Sequence, residues 1–219
     1  MDKSLKQVMN ENTAREKAIA SENQDIYTNM IAYIRGANMS DRDVESIRTD
    51  LTDMLIEAQD RGDNIQQVFG NNYKEICDEI IDAMPKKTMK DHMLDAVDIF
   101  LSSAWILGII AMINHLARDF GTHKQLTHFT LTDGRLISML AIIFLAYGVV
   151  MYITKTALDG KESKKKHVLE ILGMVVVMTL IFLPTLFMNT VILETSYLSA
   201  IIVILILFLL SKFVGSKVL

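Results

Sequence analysis

One cysteine, Cys77, stands in a chain of 219 residues. It excludes an internal disulfide and any Cys-cluster zinc or iron–sulfur site. Two prolines and ten glycines are too few for a collagen-like, linker-like or Pro-rich architecture. Positive charge is in deficit. The 22 Lys and Arg against 26 Asp and Glu leave −4, where a dedicated nucleic-acid binder would carry a basic face. A Walker loop, GxGxxG, HExxH and GxSxG are all missing. No catalytic residue, cofactor site or metal site is therefore assigned, and no direct nucleic-acid partner. What the chain has in abundance is apolar sequence. It is 51% hydrophobic with a mean hydropathy of +0.29, which argues against disorder.

The averages hide two unlike halves. Residues 1–92 hold 12 of the Lys and Arg and 18 of the Asp and Glu, a net of −6. Residues 93–219 carry a net of +2, and their charges sit in the gaps between four apolar runs. The predicted spans are about 97–117, 135–154, 168–189 and 196–214. Each approaches the roughly 20 residues a helix needs to cross the hydrocarbon. None shows the polar stripe of a soluble amphipathic helix. The first run follows a complete polar domain and no small-residue cleavage site comes after it, so it does not read as a signal peptide. The expected fold class is all-α: a small cytoplasmic helical bundle followed by a four-helix transmembrane bundle. The expected domains are an N-terminal helical extension (1–22), the bundle (23–92) and the membrane part (93–219).

Orientation follows from Lys and Arg, which accumulate in cytoplasmic loops. Ten flank the first span, the connection between spans two and three, and the C-terminus. Three (Arg118, Lys124 and Arg135) lie between spans one and two. Both termini are therefore expected in the cytoplasm of a multi-pass cell-membrane protein. The segment 119–134 reads as a polar loop at the lipid surface. His115, His123 and His128 in or beside it lack a metal-ligand spacing. The cluster Lys164–Lys165–Lys166 reads as a topology determinant beside anionic lipid.

In the first half, Ser21 and Ser40 are each followed three residues later by a side chain able to reach back, a helix-start pattern. Ile26, Met30 and Ile34 then share one helical face. Val44, Ile47, Leu51, Leu55 and Ala58 share another. Gly62 ends the second helix in a left-handed turn, so Arg61-Gly62-Asp63 reads as a helix end rather than an adhesion motif. A short turn, residues 65–69, stops at Gly70. Asn71 or Asn72 caps a last helix that buries Tyr73, Ile76, Cys77, Ile80, Ile81 and Met84 before Pro85. Residues 1–20 are weakly amphipathic, and three fates stay open: docking on the bundle, pairing with another chain, or mobility.

Ionisable groups at a membrane are costly and draw attention. Asp95, Asp98 and Glu170 lie at membrane edges on the expected cytoplasmic side, where headgroup-zone water can solvate them. Ala104 and Gly108 form a small-residue face, and Trp105 sits mid-span, which implies helix packing. Pro184 is expected to kink the third span, with Thr185 or a neighbouring helix repairing the lost bond.

The stretch 44–81 has a recognisable punctuation. An acidic amphipathic helix is followed by Gly62, Val68, Gly70, Asn71 and Asn72, then Cys77, Asp78, Glu79, Ile80 and Ile81. In this it resembles a small bacterial helical domain of unknown function. That domain is often encoded beside PadR-type repressors and is similar to the HAAS-type domains that precede membrane spans. The resemblance implies a membrane-anchored signalling or regulatory protein and carries no catalytic residues. The expected function is an integral membrane interaction protein, with membrane lipid, a protein partner and a homo-oligomer as its expected company. Its partner face would carry Glu45, Asp53, Glu57 and Asp60. The alternatives are an accessory or immunity subunit of an exporter or toxin system, and a small channel or transporter.

Overall fold

A computed structural model describes residues 4–121, 128–159 and 164–218. Helices occupy 81% of it, so among the described residues the fold is all-α apart from one two-stranded ribbon. The backbone divides into two compact units. The first is residues 1–89 with 149–161, and the second takes 90–148 and 162–218.

The first unit is built from α1 (Leu5–Arg15), a 3-10 turn (Glu16–Ala18), α2 (Ser21–Arg35), α3 (Asp41–Asp60), α4 (Ile65–Phe69) and α5 (Tyr73–Ala83). The caps explain its boundaries. Ser4 accepts from the Gln7 amide and opens α1, while Ser40 accepts from the Asp43 amide and opens α3. Asn64 opens α4 through a full capping box with Gln67, and Asn72 opens α5. Ser21 differs from its expected role. It is the first residue of α2, and the cap position falls to Ala20, whose amide donates to Gln59 Oε1 at 2.7 Å. Gly62 (φ 85°) and Gly70 (φ 68°) take the positive φ that ends α3 and α4. Met30, Ile34, Met39, Leu55 and Cys77 are all but sealed from solvent, and α2, α3, α4 and α5 each contribute to this core. Burial of each large side chain contributes roughly 1.5–3 kcal/mol before ordering entropy. The end of the long helix that reaches residue 156 belongs to this unit. Leu158 packs on the core and Lys74 pairs with Asp159 at 3.0 Å.

Of the three fates open to the first 20 residues, the structure takes docking. Leu5, Asn12 and Ile19 are buried, and α1 lies on α3.

The second unit holds α6 (Met89–Gly121), β1 (His128–Thr132), α7 (Asp133–Thr156), α8 (Lys164–Phe187), β2 (Val191–Ser196) and α9 (Tyr197–Val218). Three stretches are long and apolar enough to cross a membrane: Met89–Phe120, Asp133–Thr156 and Tyr197–Ser216. The third expected run corresponds to α8, whose described apolar stretch is the shorter Leu172–Phe187. Pro184 lies inside α8 and leaves the Leu180 carbonyl without its helical N–H. The Thr185 hydroxyl donates to the Phe182 carbonyl at 2.6 Å, and Ser138 of α7 donates to that of Ile181 at 2.6 Å. Polar bonds thus gather around the break, though Thr185 does not reach Leu180 itself.

The expected polar loop at 119–134 is the main correction to the sequence reading. Helix α6 continues to Gly121, and residues 128–132 form β1 instead of a loop. β1 pairs antiparallel with β2, with His128 opposite Ser196, Thr130 opposite Glu194 and Leu131 opposite Leu193. The register slips between Leu131 and Thr132, so Thr132 faces Val191. His123 and Lys124 lie outside the described residues.

Candidate functional site

Two polar clusters and one acidic surface stand out, and each belongs to a single unit. In the first unit, α3 turns Glu45, Arg48 and Thr52 toward α1 and α2. The Arg48 side chain is 7% exposed and that of Glu45 4%. Arg48 Nε donates to Glu16 Oε1 at 2.6 Å, its Nη2 pairs with the other Glu16 oxygen, and its Nη1 donates to Glu45 Oε2 at 3.0 Å. Arg35 reaches the remaining Glu45 oxygen at 2.8 Å, and Asn12 Nδ2 donates to Glu45 Oε2 at 2.9 Å. The Tyr27 hydroxyl donates to Glu16 at 2.7 Å and contacts Thr52 Oγ1 at 2.7 Å.

Desolvation alone pushes both carboxyls up. The hydrogen bonds from Arg48 and Tyr27 to Glu16, and from Asn12, Arg35 and Arg48 to Glu45, outweigh it. Both groups end below the ordinary carboxyl value. Arg48 is held more firmly protonated by its bond to Glu16, despite its burial. Burial pushes the Tyr27 phenol well above its usual range. This is a satisfied internal network that ties α1 to α2 and α3.

The four acidic residues of the expected partner face therefore separate. Glu45 is buried inside the network. Asp53 is half-exposed and ion-paired with Arg15. Glu57 and Asp60 are exposed. On α5, Glu75, Asp78, Glu79 and Asp82 line an open groove of about 700 Å3, with Lys74 at its edge. Asp78 accepts from the Tyr33 hydroxyl at 2.8 Å, which raises the Tyr33 phenol. Cys77, on the inner side of α5, is buried, and desolvation pushes its thiol up to about 12, far from a reactive thiolate.

In the second unit the packing residues meet α9. Trp105 stands edge-on to Phe208, ring centres 5.2 Å apart. Gly108 faces Ile204: a Cβ placed there would come within 3.2 Å of Ile204 Cγ1. Ala104 and Gly108 both line an apolar cavity of about 230 Å3 enclosed by α6, α7, α9 and the ribbon. Asp95 and Asp98 are half-buried on α6, and Asp98 lies beside Gly215 of α9. Glu170 falls within α8, but its side chain is outside the described residues.

Beneath the ribbon, His115 Nδ1 is 2.8 Å from the Tyr197 hydroxyl and its Nε2 is 3.0 Å from Thr130 Oγ1. Tyr197 donates to Asp119 at 2.7 Å, and Asp119 approaches His115 Nδ1 at 3.2 Å. The cluster joins α6, β1 and α9. Among the described residues no three His, Cys, Asp or Glu side chains converge as a metal site would require.

A family model described as "Protein of unknown function (DUF1129)" matches residues 19–214. The chain belongs to that family. The match begins at Ile19, in the core of the first unit, and ends at Val214 in α9, so it embraces both units. Neither the curated proteins nor the solved structures compared with the chain returned a match.

The sequence reading missed the Arg48 network and the His115 cluster. Both left a trace. Glu45, Arg48 and Thr52 are spaced three and four apart beside the apolar stripe of α3, and His115 and Asp119 are four apart on α6.

Proposed function

We propose that this is an integral membrane interaction and regulatory protein of the cell membrane. Its helical first unit faces the cytoplasm and binds a protein partner, and four spans anchor it or sense the envelope. Kinship of residues 41–84 to the PadR-associated, HAAS-like helical domain forms part of this reading. The observation that carries it is a bundle with its own finished core. Met30, Ile34 and Leu55 are fully buried, while Glu57, Asp60 and the acidic row of α5 remain at the surface. An acidic, well-packed module of this kind is suited to recognition.

The ribbon supports four crossings rather than three. β1 precedes α7 and β2 follows α8, yet the two strands pair side by side. Once α7 has carried the chain across the membrane, α8 must bring it back to the ribbon's side. At 24 residues α8 is about 36 Å long, sufficient for that passage. Gly108 is occupied by Ile204 within the chain. This counts against an accessory subunit that would use the small-residue face to hold a second protein.

The test places a photo-crosslinking amino acid at Glu57 and at Asp60 in native membranes. A discrete adduct of one mass is expected at both positions. Deleting residues 1–85 should abolish co-purification of the partner so identified and leave the remainder in the membrane fraction. Recovery of the same partner by the truncated chain overturns the reading.

A further inference from the structure

The apolar cavity of about 230 Å3 is walled by α6, α7 and α9, the three helices long and apolar enough to cross a membrane, and roofed by the ribbon. Phe129 of β1 and Ala200 of α9 are buried, whereas Phe100, Leu140 and Val203 in the same lining are exposed. The space is thus closed under the ribbon and open along the helices.

Chemistry constrains what fills it. A buried water needs roughly two to four polar partners. Thr195 is the one polar side chain among the described lining residues. Left empty, the space would deprive its walls of dispersion contacts. A hydrocarbon meets both conditions. Shape narrows the choice further. The lining runs about 16 Å along α6 from Ala111 to Phe100, and about 10 Å along α7 from Leu136 to Ile143 and along α9 from Ala200 to Leu207, at the helical rise. A sphere of the same volume would be only about 8 Å across, so the space is a slot aligned with the helices. An apolar cavity of about 150 Å3 takes one benzene ring. This one has room for the end of a single chain, not for both tails of a lipid. Where α6, α7 and α9 cross a bilayer, hydrocarbon chains lie against the open side of the slot.

We propose that this cavity holds the end of one acyl chain of a lipid from the surrounding bilayer. No charged side chain stands in the described lining, so recognition is of the chain and not of a headgroup. The proposal rests on the membrane reading but not on any protein partner.

The experiment reconstitutes the full-length protein in phosphatidylcholine vesicles containing a phospholipid with a photoactivatable diazirine near the end of one chain. Adducts are mapped by mass spectrometry. They are expected at Ile143 and Leu207, which line the cavity, and also at Phe144 and Leu209, which are exposed on the same helices. Ala104→Leu and Ala111→Leu each fill part of the slot with a larger side chain. Either should lower the adducts at Ile143 and Leu207 about fivefold and leave those at Phe144 and Leu209 unchanged. Ala146→Leu, exposed on α7, should change neither set. Circular dichroism checks that each variant keeps its helices, and should one lose them the other carries the test. In the unsubstituted protein, adducts at Phe144 and Leu209 alone overturn the proposal. Labelling of Ile143 and Leu207 that survives both substitutions overturns it as well. A short diazirine alkane that labels the cavity where the phospholipid does not would show a solute pocket shut off from the bilayer, and overturns it too. Absence of adducts even at Phe144 and Leu209 overturns the membrane reading itself.

Discussion

At the scale of single residues, Arg48 is the most consequential side chain in the first unit. It pairs with the buried Glu45 and with the half-buried Glu16. Removing one member of such a set leaves an uncompensated buried charge, which costs about 3–5 kcal/mol. Arg48→Ala should therefore lower the urea midpoint of the first unit steeply, whereas Glu57→Ala should change it by no more than about 0.5 kcal/mol. Equal effects would contradict the network. Acid probes the same residues. Glu16 and Glu45 titrate below the ordinary 4.5 when folded, so the unfolded chain takes up their protons first. Their stabilisation is complete above that ordinary value and drains away as the pH falls through the folded values. The first unit should lose stability below about pH 4.5. Glu45→Gln should be less stable at pH 7 yet lose less on acidification, measured by urea unfolding at each pH. The helical wheel separates Glu45 from the surface acids. At about 100° per residue, Glu45 stands about 80° from Asp53 but only about 20° from Thr52. Its charge suggested solvent, while its angle pointed into the bundle. Charge type says nothing of a partner such as Arg48, because that pairing is made by tertiary packing.

At the scale of elements, the helices were legible and the ribbon was not. The stripe Val44, Ile47, Leu51, Leu55, Ala58 marks α3 plainly, Ser40 and Gly62 mark its two ends, and Gly70 and Asn72 mark the end of α4 and the start of α5. The ribbon's strands are only five and six residues long, and each lies directly against a long apolar helix whose pattern dominates the reading. It had a trace in the alternation of Phe129 and Leu131 with threonines, and in the β-branched start of β2. Its partner lies some 60 residues away, and no local pattern supplies that pairing. The ribbon's closure depends on Gly134, the second residue of α7. A Cβ there would run into the backbone carbonyls of Pro184 and Met188, which cannot retreat as a side chain would. Gly134→Ala should therefore destabilise the second unit, while Gly148→Ala, which has open space around it, should not. Thermal aggregation in detergent distinguishes them: a Gly134→Ala midpoint equal to that of Gly148→Ala would show that the close approach carries no cost.

At the scale of the whole molecule, the division between an acidic bundle and apolar helices was readable from charge and hydropathy alone. Four apolar runs were legible as well, but the length of a run does not by itself show that α8 crosses. Strand pairing bears on that question, and it makes a prediction about sides. If α8 crosses, His128 and Glu194 share one side of the membrane, and Glu57 and Ser216 share the other. If α8 lies along one face, the chain after β2 starts from the other side and the strands cannot meet. Single cysteines at these four positions, in a Cys77→Ala background, are labelled with an impermeant maleimide before and after permeabilisation. Cys77 itself should be dark in the folded chain, since it is buried and its thiol is pushed up to about 12. The expected result is labelling of positions 128 and 194 from outside, and of 57 and 216 only after permeabilisation. Labelling of 216 together with 128 would leave three crossings. It would also put β1 and β2 on opposite sides of the bilayer, and the reading of four crossings from their pairing would fall.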